Sequence, residues 1–127
     1  MKNTCLAQLS RVSKRFGDIL ALDRFDLQVR PGELLVVLGP NVAGKTTAIS
    51  LLLGLERPDM GSAHLFGQSP LLLDARRLVG VMMQEVFLQP ELRVWEHIDL
   101  VASYYANSLT PDAVLEMTHT TPLRNRP

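Results

Sequence analysis

The chain has 127 residues with 13 basic and 13 acidic side chains, so its formal net charge is zero. Its length suits one domain with one hydrophobic core, and its 46% apolar and 20% charged residues are ordinary for a soluble globular protein. Because balanced charge provides no field of one sign, the composition argues against binding of nucleic acid, or of an anionic membrane, by bulk electrostatics.

The sequence also argues against secretion and membrane insertion. Cys5 is the single cysteine, which excludes an internal disulfide and a cysteine-based metal site. Apolar runs stay far below the ~18 residues that a membrane-spanning helix needs, and the first residues lack the apolar core of a signal peptide. We therefore expect a cytoplasmic protein that reaches a membrane only by docking to a partner.

The alternation of apolar residues in the first third of the chain predicts strands. Residues 6–16 alternate loosely and predict an edge strand. Residues 22–30 alternate more clearly, with apolar side chains at every second position, which predicts a strand with one buried face. Pro31 and Gly32 then predict a turn, because proline presets φ and glycine tolerates positive φ.

In the next segment the alternation of apolar and polar residues stops. Residues 34–38 are apolar throughout, which is typical of a parallel strand buried on both faces. A glycine-containing loop follows, and then a predicted helix over residues 46–55 that Gly54 and Pro58 help to end. Short strands are predicted at residues 62–66 and 79–83, with a helical turn at residues 74–78 between them.

The last third is predicted to be helical. Val94, Ile98, Val101 and Tyr105 fall on one face of a helix. A second helix is predicted to begin at residues 110–112, where threonine can cap, proline suits the first helical position and aspartate suits the first turn.

The loop between the buried strand and the first helix matches the phosphate-binding pattern G-x-x-x-x-G-K-[ST], known as Walker A. Glycines let successive backbone N–H groups approach a phosphate, and the helix N-terminus adds unsatisfied donors. Lys45 would reach the β- and γ-phosphates of a nucleoside triphosphate, and Thr46 would offer its hydroxyl to Mg²⁺. The predicted phosphate-binding residues are Gly39, Pro40, Asn41, Val42, Ala43, Gly44, Lys45, Thr46 and Thr47.

With this loop in place, the sequence resembles the nucleotide-binding domain of an ATP-binding-cassette (ABC) transporter. Phe16 followed by Gly17 resembles the aromatic A-loop of that family, in which the ring stacks on adenine; such stacking is worth about 1–3 kcal/mol. Gln84, at the end of a predicted strand, resembles the Q-loop glutamine, an accessory catalytic residue that touches Mg²⁺ and the attacking water. Residues 91–98 resemble the entry to the family's helical subdomain.

The resemblance implies an α/β fold with a truncated P-loop NTPase core, N-terminal antiparallel strands and the start of a helical subdomain. It divides the chain at about residue 90, with the core subdomain before it and an incomplete helical subdomain from about residue 91 to residue 127. The implied cofactors are ATP and Mg²⁺, with Thr46 and Gln84 as metal contacts. The implied partners are a membrane-spanning transporter subunit and a second nucleotide-binding domain, at the inner face of the membrane.

Two single residues depart from the family pattern. Val42 stands where the family usually has glycine or another small residue, and a β-branched side chain is poorly suited to positive φ. If the loop needs that geometry, strain of about 1–3 kcal/mol would weaken nucleotide binding about 5- to 150-fold; if the side chain points outward, the cost is small. Arg93 stands where the family commonly has a capping threonine, and losing a cap costs about 0.5–2 kcal/mol.

The third departure concerns catalysis. The sequence contains neither the family's L-S-G-G-Q signature nor its Walker B aspartate and catalytic glutamate. We therefore expect no catalytic residue other than the accessory Gln84, and little or no ATP hydrolysis by this polypeptide alone.

The sequence leaves three interpretations of the chain open. The chain is the N-terminal part of an ABC transporter ATPase subunit, an ATP-binding module that does not hydrolyse, or a truncated fragment without function. A GTPase or small-molecule kinase is disfavoured because the sequence has no D-x-x-G and no N-K-x-D.

Overall fold

The computed structural model describes residues 5–40, 44–83 and 88–127, and the chain divides into two compact units, residues 1–76 and 77–127. The first unit contains the strands β1 (Ala7–Phe16), β2 (Ile19–Val29) and β3 (Met60–Leu65) and the helices α1 (Lys45–Leu52) and α2 (Leu73–Arg76). The second contains α3 (Val94–Ala102), α4 (Pro111–Met117) and a 3-10 turn at Thr121–Leu123.

The strands of the first unit form one antiparallel sheet in the order β2-β1-β3. A tight turn with Gly17 at φ 56° joins β1 to β2, so that Phe16 pairs with Ile19 and Ala7 pairs with Val29. On its other side, β1 pairs with β3, which puts β1 at the centre of the sheet. The prediction of an edge strand for residues 6–16 was therefore wrong, because β3 returns from much later in the chain to pair with it.

The β1–β2 hairpin contains irregular positions at which polar side chains accept hydrogen bonds from the backbone. Arg11 and Arg24 have positive φ values of 47° and 46°, in the stretch where the register between the strands shifts. The Arg11 N–H donates to the Asp26 carboxylate at 2.8 Å, and the Arg24 N–H donates to the Ser13 hydroxyl at 3.0 Å. Such bulges bend and twist a strand, and here the side chains supply the acceptors that the ladder lacks.

The core of the first unit lies where α1 packs against β1 and β2. Its buried side chains are Leu9, Val12, Leu22, Ala48 and Leu51. Full burial of a leucine or valine side chain contributes about 1.5–3 kcal/mol. The α1 helix is therefore anchored to the hairpin through Ala48 and Leu51, and its N-terminus takes its position from this packing.

The predicted buried strand at residues 34–38 is not formed. These residues lie outside every strand, and Leu34 and Leu38 are 92% and 84% exposed. A strand that is apolar on both faces is buried only when other strands flank it and helices cover it, and the described strands pair only among themselves. The strand predicted at residues 79–83 is likewise not formed, because these residues lie outside every strand and helix.

Several local predictions for the first unit are confirmed with shifted bounds. The helix predicted over residues 46–55 is α1, and Gly54 follows its C-cap with φ 68°, the left-handed conformation typical of a helix end. The strand predicted at residues 62–66 is β3, and the helical turn predicted at residues 74–78 is α2.

The helix starts in the second unit are capped in different ways. Thr110 caps α4 as predicted, because its hydroxyl accepts the Ala113 N–H at 3.3 Å. Arg93 offers no side-chain acceptor for α3, but the Glu96 carboxylate accepts the Arg93 N–H at 2.7 Å, which is half of a capping box. The predicted boundary near residue 90 stays a prediction. Among the described helices, none combines the length and the apolar character that a bilayer span requires.

Candidate phosphate-binding site

The predicted phosphate-binding loop reaches α1 at Gly44, which is the N-cap of the helix. Gly44 has φ 74° and ψ 6°, a left-handed conformation that residues with a side chain rarely adopt. A Cβ atom at this position would lie 2.3 Å from the Ala21 carbonyl oxygen and 2.8 Å from Leu22 Cδ2. Glycine is therefore required here both by the backbone conformation and by the close approach of β2.

The α1 helix begins directly after this glycine, and its first turn favours an anion. The Ala48 N–H donates to the Gly44 carbonyl at 2.8 Å as the first helical bond, which leaves the preceding N–H groups without helical acceptors. The first turn contains no acidic residue. The partial positive charge of the helix N-terminus is thus not offset by a carboxylate of that turn.

Lys45 folds back over the beginning of the loop. Its Nζ donates to the Gly39 carbonyl at 2.6 Å and to the Pro40 carbonyl at 2.5 Å. These bonds bring the start of the loop and the start of α1 together, with Gly39 at φ 154°. An ammonium group has three donors, so Lys45 is placed to contact an anion at the helix N-terminus.

Thr46 and Thr47 follow in the first turn of α1, and Thr46 is exposed. Magnesium in nucleotide sites is typically held by one or two protein oxygens together with phosphate oxygens and water. The Thr46 hydroxyl would fit that role. Within the described ranges, no group of three or more His, Cys, Asp or Glu side chains could hold a metal ion.

Phe16 lies at the end of β1, on the hairpin whose second strand contacts Gly44. The residue is 44% exposed. Phe16 pairs with Ile19, and Ala21 follows two residues later, roughly 7 Å along the strand. The predicted aromatic platform and the end of the phosphate-binding loop therefore belong to one supporting element.

Other predicted site residues lie outside the described part of the chain. Asn41, Val42 and Ala43 of the loop and Gln84 of the Q-loop are among them. The predicted weakening of nucleotide binding by Val42 and the predicted Mg²⁺ contact of Gln84 stay predictions.

Two contacts of this region were not predicted from the sequence. One is the approach of the Ala21 carbonyl to Gly44, a packing contact that no local pattern encodes. The other is the cation–π contact of Lys14, whose Nζ lies 5.2 Å from the centroid of the Phe16 ring. The sequence offers one indication of this contact. Lys14 and Phe16 are two residues apart, and alternate residues of a strand share a face.

Sequence comparison with known proteins identifies a family for this chain. A family model described as "ABC transporter" matches residues 22–127. The Nod factor export ATP-binding protein I of Burkholderia thailandensis is 43% identical over 97 residues, which are 75% of this chain and 32% of that protein. The probable sulfate/thiosulfate import ATP-binding protein CysA of Chlorella vulgaris is 40% identical over 91 residues, which are 71% of this chain and 39% of that protein. The chain thus spans about a third of the length of these curated relatives.

Solved structures agree with the fold. An ATP-binding subunit of an ABC transporter superposes with a TM-score of 0.83 at 23% identity, covering 95% of this chain and 53% of that one. The ATP-binding cassette MJ0796, solved as a dimer in a post-hydrolysis state with ADP and Pi, superposes with a TM-score of 0.76 at 21% identity, covering 94% of this chain and 60% of that one. Since the family model matches most of the sequence, the chain belongs to the ABC transporter family, and it corresponds to the N-terminal portion of the family's ATP-binding domain.

Proposed function

We propose that this chain binds Mg²⁺–ATP through residues 39–47, as part of a subunit that couples ATP hydrolysis to transport across a membrane. The observation that carries the proposal is the position of Lys45, whose ammonium bridges the carbonyl groups of Gly39 and Pro40 at the start of an acid-free helix. This arrangement combines a cation with backbone N–H donors at a helix N-terminus, which is the chemistry that a polyphosphate needs.

Each residue has a distinct role in the proposal. Lys45 contacts the β- and γ-phosphates, and Thr46 with Gln84 contacts Mg²⁺. Phe16 stacks on the adenine base. The loop residues from Asn41 to Gly44 offer backbone N–H groups to the phosphates, whereas Pro40 has no N–H to donate.

The proposed assembly follows from the family. The chain's relatives are named as ATP-binding components of an exporter and of an importer, so the proposal concerns the ATP-binding role that they share. We propose a membrane-spanning transporter subunit and a second nucleotide-binding domain as partners, with the subunit on the cytoplasmic face of the membrane.

The test is a titration of the 127-residue chain with a fluorescent ATP analogue, with and without Mg²⁺. Lys45→Ala removes a charge-assisted contact and is expected to weaken binding about 10- to 150-fold. Arg30→Ala is the matched control, because it removes one positive charge at the far end of β2, roughly 25 Å along the strand from the contact with Gly44. Equal binding by the wild-type chain and Lys45→Ala would refute the proposal.

A further inference from the structure

The ring of Phe16 has one occupied side. The Lys14 ammonium lies over the ring, 5.2 Å from its centroid. An aromatic face carries partial negative charge and attracts a cation at this distance. Phe16 as a whole is still 44% exposed, so Lys14 does not shield the residue completely.

The Lys14 ammonium is itself held in place. It donates to the Arg57 carbonyl at 2.9 Å and forms ion pairs with the Glu56 carboxylate at 3.3 Å and the Asp59 carboxylate at 3.7 Å. The side chain is only 12% exposed, in contrast to the 42% and 50% of its two acidic partners. A lysine with this many fixed acceptors has lost most of the rotamer freedom that exposed lysines retain.

Asp59 ties the same network to the backbone next to Phe16. Its second carboxylate oxygen accepts the Arg15 N–H at 2.7 Å, and its own N–H donates to the Ser13 carbonyl at 2.9 Å. The register of β1 against β2 shifts on both sides of Lys14, and shifts of this kind re-aim side chains. The end of β1 is therefore fixed to the turn before β3 on either side of Lys14.

We propose that Lys14, fixed by Glu56 and Asp59, is a positioning residue that presents one face of Phe16 to a purine base. This inference rests on the proposed function, because it assumes that Phe16 contacts the base of the bound nucleotide. The ammonium covers one face and leaves the other for stacking. A ring held in one orientation before binding loses less conformational entropy when the base arrives.

The experiment compares two ligands, ATP and inorganic tripolyphosphate, on the 127-residue chain. Lys14→Met keeps the length of the side chain and removes its charge. It is expected to weaken ATP binding about two- to twelve-fold, the cost of immobilising one more side chain when the ligand binds, and to leave tripolyphosphate binding unchanged. Lys14→Arg retains a cation and is expected to bind ATP as the wild type does. In a Phe16→Ala background, Lys14→Met is expected to have no further effect on ATP.

The two ligands separate positioning from other roles of Lys14. Loss of a nearby positive charge, or a destabilised fold, would weaken both ligands together and would overturn the inference. An effect of Lys14→Met on ATP that persists in Phe16→Ala would overturn it as well. If the wild-type chain binds tripolyphosphate as tightly as ATP, the base platform is refuted while the phosphate site stands; if it binds neither, the proposed function fails.

A readout without ligand completes the test. Fluorine NMR of the chain labelled with fluorophenylalanine reports the ring of Phe16, whose signal is assigned by its loss in Phe16→Leu. Asp59→Asn retains an acceptor for the Arg15 N–H but loses the charge that holds Lys14. We expect Lys14→Met and Asp59→Asn to shift or broaden the Phe16 signal and Arg30→Ala to leave it unchanged. An unchanged Phe16 signal in both Lys14→Met and Asp59→Asn would overturn the inference, even if neither variant altered ATP binding.

Discussion

The contact between Gly44 and β2 predicts a large effect of one added methyl group. In Gly44→Ala, the new Cβ would meet the Ala21 carbonyl oxygen at 2.3 Å, a backbone atom that cannot rotate away. Alanine at φ 74° also carries strain of about 1–2 kcal/mol, and forcing a group into a packed site typically costs a further 1–3 kcal/mol or so. We expect Gly44→Ala to lower the free energy of unfolding by about 2–5 kcal/mol, a large share of the total for a small domain.

Two other glycines separate the causes of this effect. Gly17 has a positive φ of 56° but nothing within 4 Å of an added Cβ, so Gly17→Ala measures backbone strain alone. Gly80 has open space and no positive φ, so Gly80→Ala should be neutral or slightly stabilising, by up to about 1 kcal/mol. Urea unfolding of the three variants, followed by circular dichroism, gives the comparison. If Gly44→Ala lost no more stability than Gly17→Ala, the close approach of Ala21 would be refuted.

Two further predictions concern stability. Leu51 is 1% exposed in the core of the first unit, so Leu51→Ala should cost about 2–5 kcal/mol in a urea melt; its neighbour Ile49 is 49% exposed, and Ile49→Ala losing as much would contradict the packing. Thr110→Ala removes the N-cap of α4 and should cost about 0.5–2 kcal/mol. Hydrogen exchange of the Ala113 N–H, which Thr110 accepts, should accelerate in that variant, and unchanged exchange would argue against the cap.

The parts of the fold that the sequence predicted are those whose causes are local. Gly44 and Thr110 begin helices by their own backbone conformation or side-chain oxygen, and both features are visible within a few residues. The predicted phosphate-binding role of residues 39–47 also rests on local sequence, because glycine, lysine and threonine each have a mechanical role at a fixed spacing, and it stays a prediction. Family membership followed from these residues and was confirmed by the family match.

The parts that the sequence did not predict depend on partners distant in the chain. Residues 34–38 are apolar enough for a buried strand, but burial is a property of a strand and its neighbours together. The described neighbours pair elsewhere, so Leu34 stays exposed. The central position of β1 depends in the same way on β3, which follows β1 by more than forty residues in the sequence.

The contacts around Lys14 were missed for a related reason. Lys14, Glu56 and Asp59 are each ordinary polar residues in their local sequence, and surface ion pairs of this kind are worth only about 0–1 kcal/mol. Their arrangement becomes informative only when β3 brings the turn before it against the end of β1, with Asp59 accepting the Arg15 N–H. The resemblance to the family therefore singles out the ring of Phe16 but not the group that we propose orients it.

One hairpin supports both ends of the proposed nucleotide site. Leu22 pairs with Lys14 across the hairpin, and the Leu22 side chain lies next to Gly44 at the end of the phosphate-binding loop. Lys14 in turn contacts the ring of Phe16. Because Leu22 is buried against α1 in the same core as Leu51, a shift of the hairpin relative to the helix would move the aromatic ring relative to the predicted phosphate-binding loop. The proposed phosphate contacts and the proposed stacking on the base therefore both depend on the packing of the hairpin against α1, although different side chains make the two contacts.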